Sequence, residues 1–266
     1  MPRIALIVAY SGRKFHGWQS QSEQIATIQR DLTRAVSTVA DSSVVLHSAG
    51  RTDTGVHASK QVVHFDSPHV RPDKAWVLGV NAHLGDEISV EWSGMVADDF
   101  DARHSATARR YLYLIYNNSV RSALMPGYLT QEHRHLNESG MHDAAQALLG
   151  ENDFSSFRAA SCQSRTPMRY VSEVNVLRRQ DLVMIDITAN AFLHHMVRNI
   201  AGVLMDVGAG NRSVSWVGEL LSLRDRTRGG VTAAPEGLYL IDVHYPDECG
   251  IPADARLPHF LQIAGA

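Results

Sequence analysis

The residues best suited to chemistry lie in the run 49–58, AGRTDTGVHA, between two apolar segments. Asp53 stands on a short loop between Gly50 and Gly55, and glycine permits tight backbone angles and close approaches. Arg51 precedes Asp53 by two residues, and in an extended loop the two side chains share a side. Pairing with the guanidinium would favour the ionised carboxylate that a nucleophile or a base requires. The competing interpretation is a turn in which Asp53 satisfies its own backbone.

The triplet Asp53-Thr54-Gly55 also matches the catalytic triplet of aspartic proteases. Those enzymes need two such aspartates that face each other and share a proton. This chain holds a single triplet, so a protease would have to be a symmetric dimer. Arg51 beside such a pair would push both acids toward ionisation. Both features argue against the protease hypothesis.

Histidine is frequent, with 14 residues, but its spacing does not predict a metal site. His194 and His195 are adjacent, and on a helix neighbouring side chains point ~100° apart, which prevents both from binding one ion easily. His133 and His135 could share a strand face, but no further ligands follow at suitable spacing. We therefore expect no metal.

The total charge does not predict nucleic-acid binding, because 25 basic and 28 acidic residues give a net charge of −3. A local basic patch would suffice. Arg198, on a predicted helix, could meet a phosphate, and a solvated helix face is its alternative. The other candidates are Arg109, Arg110, Arg165, Arg169, Arg224, Arg226 and Arg228.

The apolar periodicity predicts alternating strands and helices. Predicted strands cover 3–10, 44–48, 61–65, 111–117, 182–189 and 238–243. Predicted helices start near Thr27, near Trp76, near Asn137 and near Leu193, the last ending near Gly208. The polar run 98–104 is typical of a linker. We expect an α+β fold in two halves, 1–105 with the Asp53 loop and 106–266.

The composition is that of a globular protein, with 44% hydrophobic and 20% charged residues. Cys162 and Cys249 form no CxxC pair, which fits a reducing cytosol. The first residues lack the layout of a signal peptide, and no apolar run approaches the ~20 residues of a membrane span. We expect a cytoplasmic protein.

The run 50–58, GRTDTGVHA, resembles the GRTDAGVHA signature of the TruA family of tRNA pseudouridine synthases. The likeness is collinear and covers nearly the whole chain. Its other segments are AYSGRKFHGWQSQ (9–21), HSATARRYLYLIYN (104–117), ENDFSSFRA (151–159), ANAFLHHMVRNIAGVLMDVG (189–208) and APEGLYLIDV (234–243). Thr54 replaces the usual alanine and could alter packing beside Asp53. His83-Leu84-Gly85 lacks a proline that is common there.

The resemblance implies a reaction and its partners. The family isomerises uridine to pseudouridine at tRNA positions 38, 39 and 40 in the anticodon stem-loop, without a metal or a redox cofactor. Uracil is detached from C1′, rotated and rejoined through C5. Asp53 would be the catalytic carboxylate, attacking C1′, adding to the base or removing a C2′ proton. Family members are homodimers, so we expect tRNA and a second copy of the chain as partners.

The resemblance also implies roles for single residues. Tyr111 would stack on the target uracil, and its hydroxyl could handle the C5 proton, whereas its pattern alone favours a core aromatic. Arg51 would pair with Asp53 and help to hold the target nucleotide out of the stack. Leu238 would line the uracil pocket, or be a plain core leucine.

The implied fold is two related α/β halves with mostly antiparallel sheets flanked by helices, and an active site in the cleft between them. Asp53 and Arg51 would come from the first half, and Tyr111, Leu238 and the RNA-binding surface from the second. A non-catalytic RNA-binding module that stacks bases on sheet aromatics remains the alternative.

Overall fold

The structure is a computed structural model that describes residues 1–22 and 24–263. Its strands are β1 (Arg3–Tyr10), β2 (His47–Ser48), β3 (His57–Asp66), β4 (Ile88–Val96), β5 (Ala108–Asn117), β6 (Thr130–Glu132), β7 (Gly150–Asp153), β8 (Met168–Arg179), β9 (Leu182–Ala189) and β10 (Leu238–His244). Its helices are α1 (Ile28–Ala40), α2 (Asp73–Asn81), α3 (Glu138–Ala145), α4 (Met196–Gly208), α5 (Trp216–Leu223) and α6 (His259–Ile263). The mixed α+β class with mostly antiparallel strands is confirmed.

The chain forms two compact units, and the second is inserted into the first. One unit combines Met1–Thr107 with the C-terminal segment that begins at Tyr239, and the other is Ala108–Leu238. The sequence predicts one half for everything after residue 105, whereas the segment from Tyr239 onward belongs to the first unit. Its strand β10 pairs in parallel with the start of β3. The buried ammonium of Lys60 on β3 also binds Asp242 on β10 at 2.6 Å.

The sheet of the first unit has the strand order β4-β1-β3-β10, with β2 on β3. The central strand β1 is buried from Ile4 to Val8, which explains its unbroken apolar run. Strand β3 begins at His57 rather than 61, because its first residues pair with β10, a partner that local periodicity does not reveal. The strand predicted over 44–48 reduces to β2, although Val44 and Leu46 are buried.

Helix α1 begins where the sequence predicted. The hydroxyl of Thr27 accepts a hydrogen bond from the Arg30 backbone N–H, which satisfies one of the free donors of the first turn. Ile28, Leu32 and Val36 recur at helical spacing and are fully buried. The N-cap and the apolar stripe together fix the start and the inner face of this helix.

The run 98–104, predicted as a linker, is instead anchored in the first unit. Phe100 and Ala102 are buried, and the Phe100 ring lies edge-on to His64. The Ala102 N–H donates to Nδ1 of His64 at 3.0 Å, and the Tyr245 hydroxyl donates to the Ala102 carbonyl at 2.5 Å. The linker prediction was wrong because most residues of this run are polar, although its two apolar side chains face inward.

The second unit has the strand order β5-β9-β8-β7, with β6 in parallel beside β5. Strand β9 has the bounds that the sequence predicted, Leu182–Ala189. Helix α3 is capped by Asn137, whose side chain accepts from the Gly140 N–H at 3.1 Å. Helix α4 starts at Met196 rather than Leu193, because His195 has a left-handed backbone with φ of 61°. Of the helices described, none has the length and apolar character of a membrane span.

His64 should make the stability of the first unit depend on pH. Burial lowers the pKa of its imidazole from 6.5 to about 4, and its Nδ1 already accepts the Ala102 N–H. Nearby Asp101 favours the charged form, whereas His47 and Arg3 oppose it. Between pH 6.5 and 4 the unfolded chain therefore binds more protons, so stability falls as pH falls. The contribution is at most about 3 kcal/mol.

We predict that His64→Asn loses less stability than the wild type between pH 7 and pH 5, seen as a smaller drop in the denaturant concentration at the unfolding midpoint. Asparagine keeps a hydrogen-bond acceptor but does not titrate in this range. Chemical denaturation at pH 7, 6 and 5 measures the effect. Parallel pH profiles for the variant and the wild type would contradict it.

Candidate active site

The Asp53 loop is a tight turn at the start of β3. The Val56 N–H donates to the Asp53 carbonyl at 3.1 Å, and Gly55 takes a positive φ of 82° within this turn. Thr52 and Val56 are buried, whereas Asp53 is half-buried and Thr54 is exposed. The loop thus presents its carboxylate at the surface while its neighbours hold the backbone from below.

The N-terminal segment 12–18 packs directly on this loop. The Trp18 N–H donates to the Thr52 carbonyl at 2.9 Å. A methyl group on Gly17, whose φ is +83°, would lie 2.8 Å from that same oxygen. A methyl group on Gly12 would lie 2.1 Å from the Val56 carbonyl oxygen. Both glycines are therefore required by close backbone contact, a role that sequence reasoning did not assign to them.

His57 supports the loop and was also missed. The Gly12 N–H donates to His57 Nδ1 at 3.2 Å, which requires that nitrogen to be unprotonated. The imidazole is buried and stacks on the Tyr239 ring with centroids 4.6 Å apart. A histidine that directly follows a carboxylate motif at the start of a strand was the available signal.

The contacts of Arg51 differ from the predicted ion pair with Asp53. Its side chain is exposed and makes no hydrogen bond or ion pair with the residues that the structure describes. The predicted pair between Arg51 and Asp53 is thus not formed. The guanidinium of Arg51 faces solvent.

Tyr111 lies on β5, opposite Ile187 of β9. Its ring is 9% exposed and meets the edge of Phe192 at a centroid distance of 5.1 Å. Tyr113, two residues on, is fully buried, and its hydroxyl binds Thr130 Oγ1 and the Ala234 carbonyl, both at 2.7 Å. Burial raises the pKa of Tyr113, so that hydroxyl stays a neutral donor.

Leu238 and Arg198 belong to the second unit with Tyr111. Leu238 is buried at the start of β10, directly after Gly237, where a methyl group would lie 2.5 Å from the Leu114 carbonyl. Arg198 is half-buried on α4, and its Nε donates to the Ala233 carbonyl at 2.8 Å. Arg198 is therefore held by the segment before β10 rather than lying on a solvated helix face.

The argument about His194 and His195 as helical neighbours is wrong. Both precede α4, and their ring centroids lie 4.0 Å apart with the planes tilted by 41°. The left-handed backbone of His195 brings the rings together, so helical spacing does not separate them.

Several arginines considered for RNA contact bind the protein itself. Arg110 makes two hydrogen bonds to Asp186, at 2.8 and 2.5 Å, and Arg226 binds the buried side chain of Asn199 at 3.0 Å. Asn199 in turn donates to the Phe157 carbonyl at 2.7 Å. Arg226 and Asn199 therefore hold a loop in place, whereas the sequence alone suggested only a charge available to RNA. Arg165, Arg224 and Arg228 are exposed.

Comparison with known proteins decides the family. A family model described as tRNA pseudouridine synthase matches residues 144–246. A tRNA pseudouridine synthase A of Pasteurella multocida (strain Pm70) is 53% identical over 260 residues, covering 98% of both chains. The chain belongs to the tRNA pseudouridine synthase A family. Other tRNA pseudouridine synthases A, from Actinobacillus pleuropneumoniae serotype 7 (strain AP76) and Shigella boydii serotype 4 (strain Sb227), are each 52% identical over 259 residues. They cover 97% of this chain, which in turn covers 98% and 96% of theirs.

The match to tRNA pseudouridine synthases A runs through the Asp53 loop, its supporting segment and the second unit alike, since it covers almost the whole chain. Among solved structures, a chain from a Cbf5–Nop10–Gar1 complex aligns with a TM-score of 0.33 and 10% identity. That alignment covers 89% of this chain and 57% of the other.

We predict that Gly17→Ala disturbs the Asp53 loop more than its backbone angle alone requires. Gly210→Ala is the matched control, because Gly210 has a φ of +77° with open space around it. The control should lose roughly 1 kcal/mol of stability from the left-handed backbone. Gly17→Ala should lose more and speed amide hydrogen exchange at Trp18 and Val56, whose N–H groups bind the loop. Equal exchange rates in both variants would contradict the proposed packing.

Proposed function

We propose that this chain isomerises uridine to pseudouridine at positions 38, 39 and 40 of the tRNA anticodon stem-loop, with Asp53 as the catalytic carboxylate. Membership of the tRNA pseudouridine synthase A family gives the reaction class, an isomerisation of uridine in tRNA. The observation that carries the role of Asp53 is its half-buried carboxylate on a loop whose backbone is fixed from two sides.

The reaction breaks the N1–C1′ bond of uridine and forms a C5–C1′ bond, and the C5 proton leaves for solvent while N1 gains one. Reactant and product are isomers, so no co-substrate is consumed. A carboxylate can attack C1′, add to the base or remove a C2′ proton, and the ionised form serves each route. A half-buried position suits this, because it leaves the group partly hydrated while its backbone stays rigid.

We assign the other residues to the second side of the site. Tyr111 stacks on the displaced uracil, Leu238 lines the base pocket, and Arg198 contacts a phosphate or the reacting nucleotide. Arg51 helps to hold the nucleotide out of the stack. In support, Tyr111 keeps some exposure whereas Tyr113 has none, and Arg51 is exposed beside Asp53. The first half thus supplies the carboxylate and the second the base platform and RNA surface.

The proposal extends to the working state of the enzyme. We propose a cytoplasmic homodimer, on the strength of the family resemblance and a tRNA substrate. With a net charge of −3, the chain would bind RNA through a local basic surface, so tRNA affinity should fall steeply with salt. Sedimentation at working concentration tests the dimer, and a single-chain mass would refute it.

We predict that Asp53→Asn abolishes pseudouridine formation, by at least about 10³-fold, because the amide keeps the shape but not the reactive oxygen. Tritium release from tRNA labelled at uracil C5 measures turnover, on stem-loops with uridine at each of the three positions. Asp99→Asn makes the same charge change at an exposed site of the first unit and serves as control. Affinity for tRNA should stay within about twofold in both, and turnover by Asp53→Asn would refute the assignment.

The role of Tyr111 gives a second prediction. Tyr111→Ala should remove the base platform and lower turnover by about 10-fold or more, since stacking on an aromatic ring contributes ~1–3 kcal/mol per base. Tyr111→Phe keeps the platform and separates stacking from proton transfer by the hydroxyl. Near-normal turnover in Tyr111→Ala would refute the stacking role.

A further inference from the structure

Three buried polar side chains lie beneath the Asp53 loop. They are Tyr10 at the end of β1, Thr52 in the loop and Gln61 on β3, exposed by 5%, 7% and 0%. The Tyr10 hydroxyl and Thr52 Oγ1 are 2.8 Å apart, and Gln61 Nε2 lies 3.4 Å from the Tyr10 oxygen. Burying a polar group costs free energy unless it is hydrogen-bonded, so each of these side chains depends on its partners.

The network reaches the backbone of the loop on the upstream side of Asp53. Gln61 Nε2 donates to the Gly50 carbonyl at 2.7 Å, and the Tyr10 hydroxyl holds the side chain of Thr52, the residue adjacent to Asp53. The Oε1 of Gln61 is buried and has no hydrogen-bond partner among the described groups. A buried oxygen without a hydrogen bond destabilises the fold. The stabilising contribution of the Gln61 amide must therefore come from the hydrogen bonds that its Nε2 donates.

We propose that Tyr10, Thr52 and Gln61 form a positioning network that holds the Asp53 carboxylate in its reactive orientation. The inference rests on the proposed function of Asp53 and names three residues that act through the loop without touching the substrate. A misplacement of a catalytic group by about 1 Å can cost up to about 10² in rate. The network therefore affects the chemical step and leaves tRNA binding to other surfaces.

The direction of each hydrogen bond in this network follows from Gln61 Nε2, which can only donate. Gln61 donates to Gly50 and Tyr10, so the Tyr10 hydroxyl is free to donate to Thr52 Oγ1. Burial raises the pKa of Tyr10 to about 12, so its hydroxyl remains a donor throughout the range in which the enzyme is assayed. Loss of the network should therefore lower the rate without moving its pH profile between pH 6 and 9.

The test removes single hydroxyls. Tyr10→Phe and Thr52→Val delete the two ends of one hydrogen bond, and Thr52→Ser retains it. We expect kcat to fall about 10-fold in Tyr10→Phe and Thr52→Val, with KM for tRNA within about twofold. Thr52→Ser should stay within about threefold of the wild type. The double variant should be no slower than Tyr10→Phe, because that single variant already removes the bond between Tyr10 and Thr52 as well as the bond from Gln61.

Tyr245→Phe is the matched control for stability. It removes a tyrosine hydroxyl that donates to the Ala102 carbonyl, in the same unit but away from the loop. Its kcat should be that of the wild type at a comparable loss of thermal stability. Wild-type kcat in both Tyr10→Phe and Thr52→Val would overturn the network, as would an equal loss in Tyr245→Phe. Should Tyr10→Phe fail to fold, equal rates in Thr52→Val and Thr52→Ser would overturn it.

The wild type and Asp53→Asn are assayed alongside these variants. A wild type without turnover, or an active Asp53→Asn, overturns the proposed function and the network with it. An active wild type and an inactive Asp53→Asn, together with full kcat in Tyr10→Phe and Thr52→Val, overturn the network alone.

Discussion

The close contact between the segment 12–18 and the carbonyls of Thr52 and Val56 is the constraint on which the site depends. Two glycines allow it, and any side chain on Gly12 would meet the Val56 oxygen at 2.1 Å. The sheet creates the contact, because β1 ends at Tyr10 and pairs there with Ala58 near the start of β3. The chain that leaves β1 and the loop that enters β3 are therefore forced to the same end of one strand pair.

Parallel pairing of β10 fixes the start of β3 from the other side. Tyr239 and Leu240 pair with His57 and Ala58, and Tyr239 also stacks on the His57 ring. A segment near the end of the chain thus holds the first strand residues after the Asp53 loop. This pairing brings the end of the Asp53 loop and the segment that follows Leu238 together, although they are distant in sequence.

Local sequence patterns predicted the bounds of an element correctly where the residues of that element alone determine its structure. β1 and β9 have the predicted bounds, and α1 begins at its predicted cap, because each carries an apolar pattern that matches its own period. β8 was missed, since its outward positions are polar or exposed and its register shifts between Val171 and Glu173. The early start of β3 and the anchored run 98–104 depend on distant partners, which no window of sequence contains. The roles proposed for Asp53 and Tyr111 come from the family resemblance, because local patterns alone favoured a turn at Asp53 and a core aromatic at Tyr111.

The residues of the Asp53 loop divide into those that face inward and those that reach the surface. Thr52, Val56 and His57 face inward, whereas Arg51 and Thr54 are exposed on either side of the half-buried Asp53. The departure from the family's alanine at Thr54 therefore points away from the packing beneath Asp53 and leaves the support intact. The role proposed for Arg51 requires an exposed charge, and its side chain is exposed. The backbone beside Asp53 is therefore held from below by the neutral residues Thr52 and Val56, whereas the charged Arg51 stays at the surface.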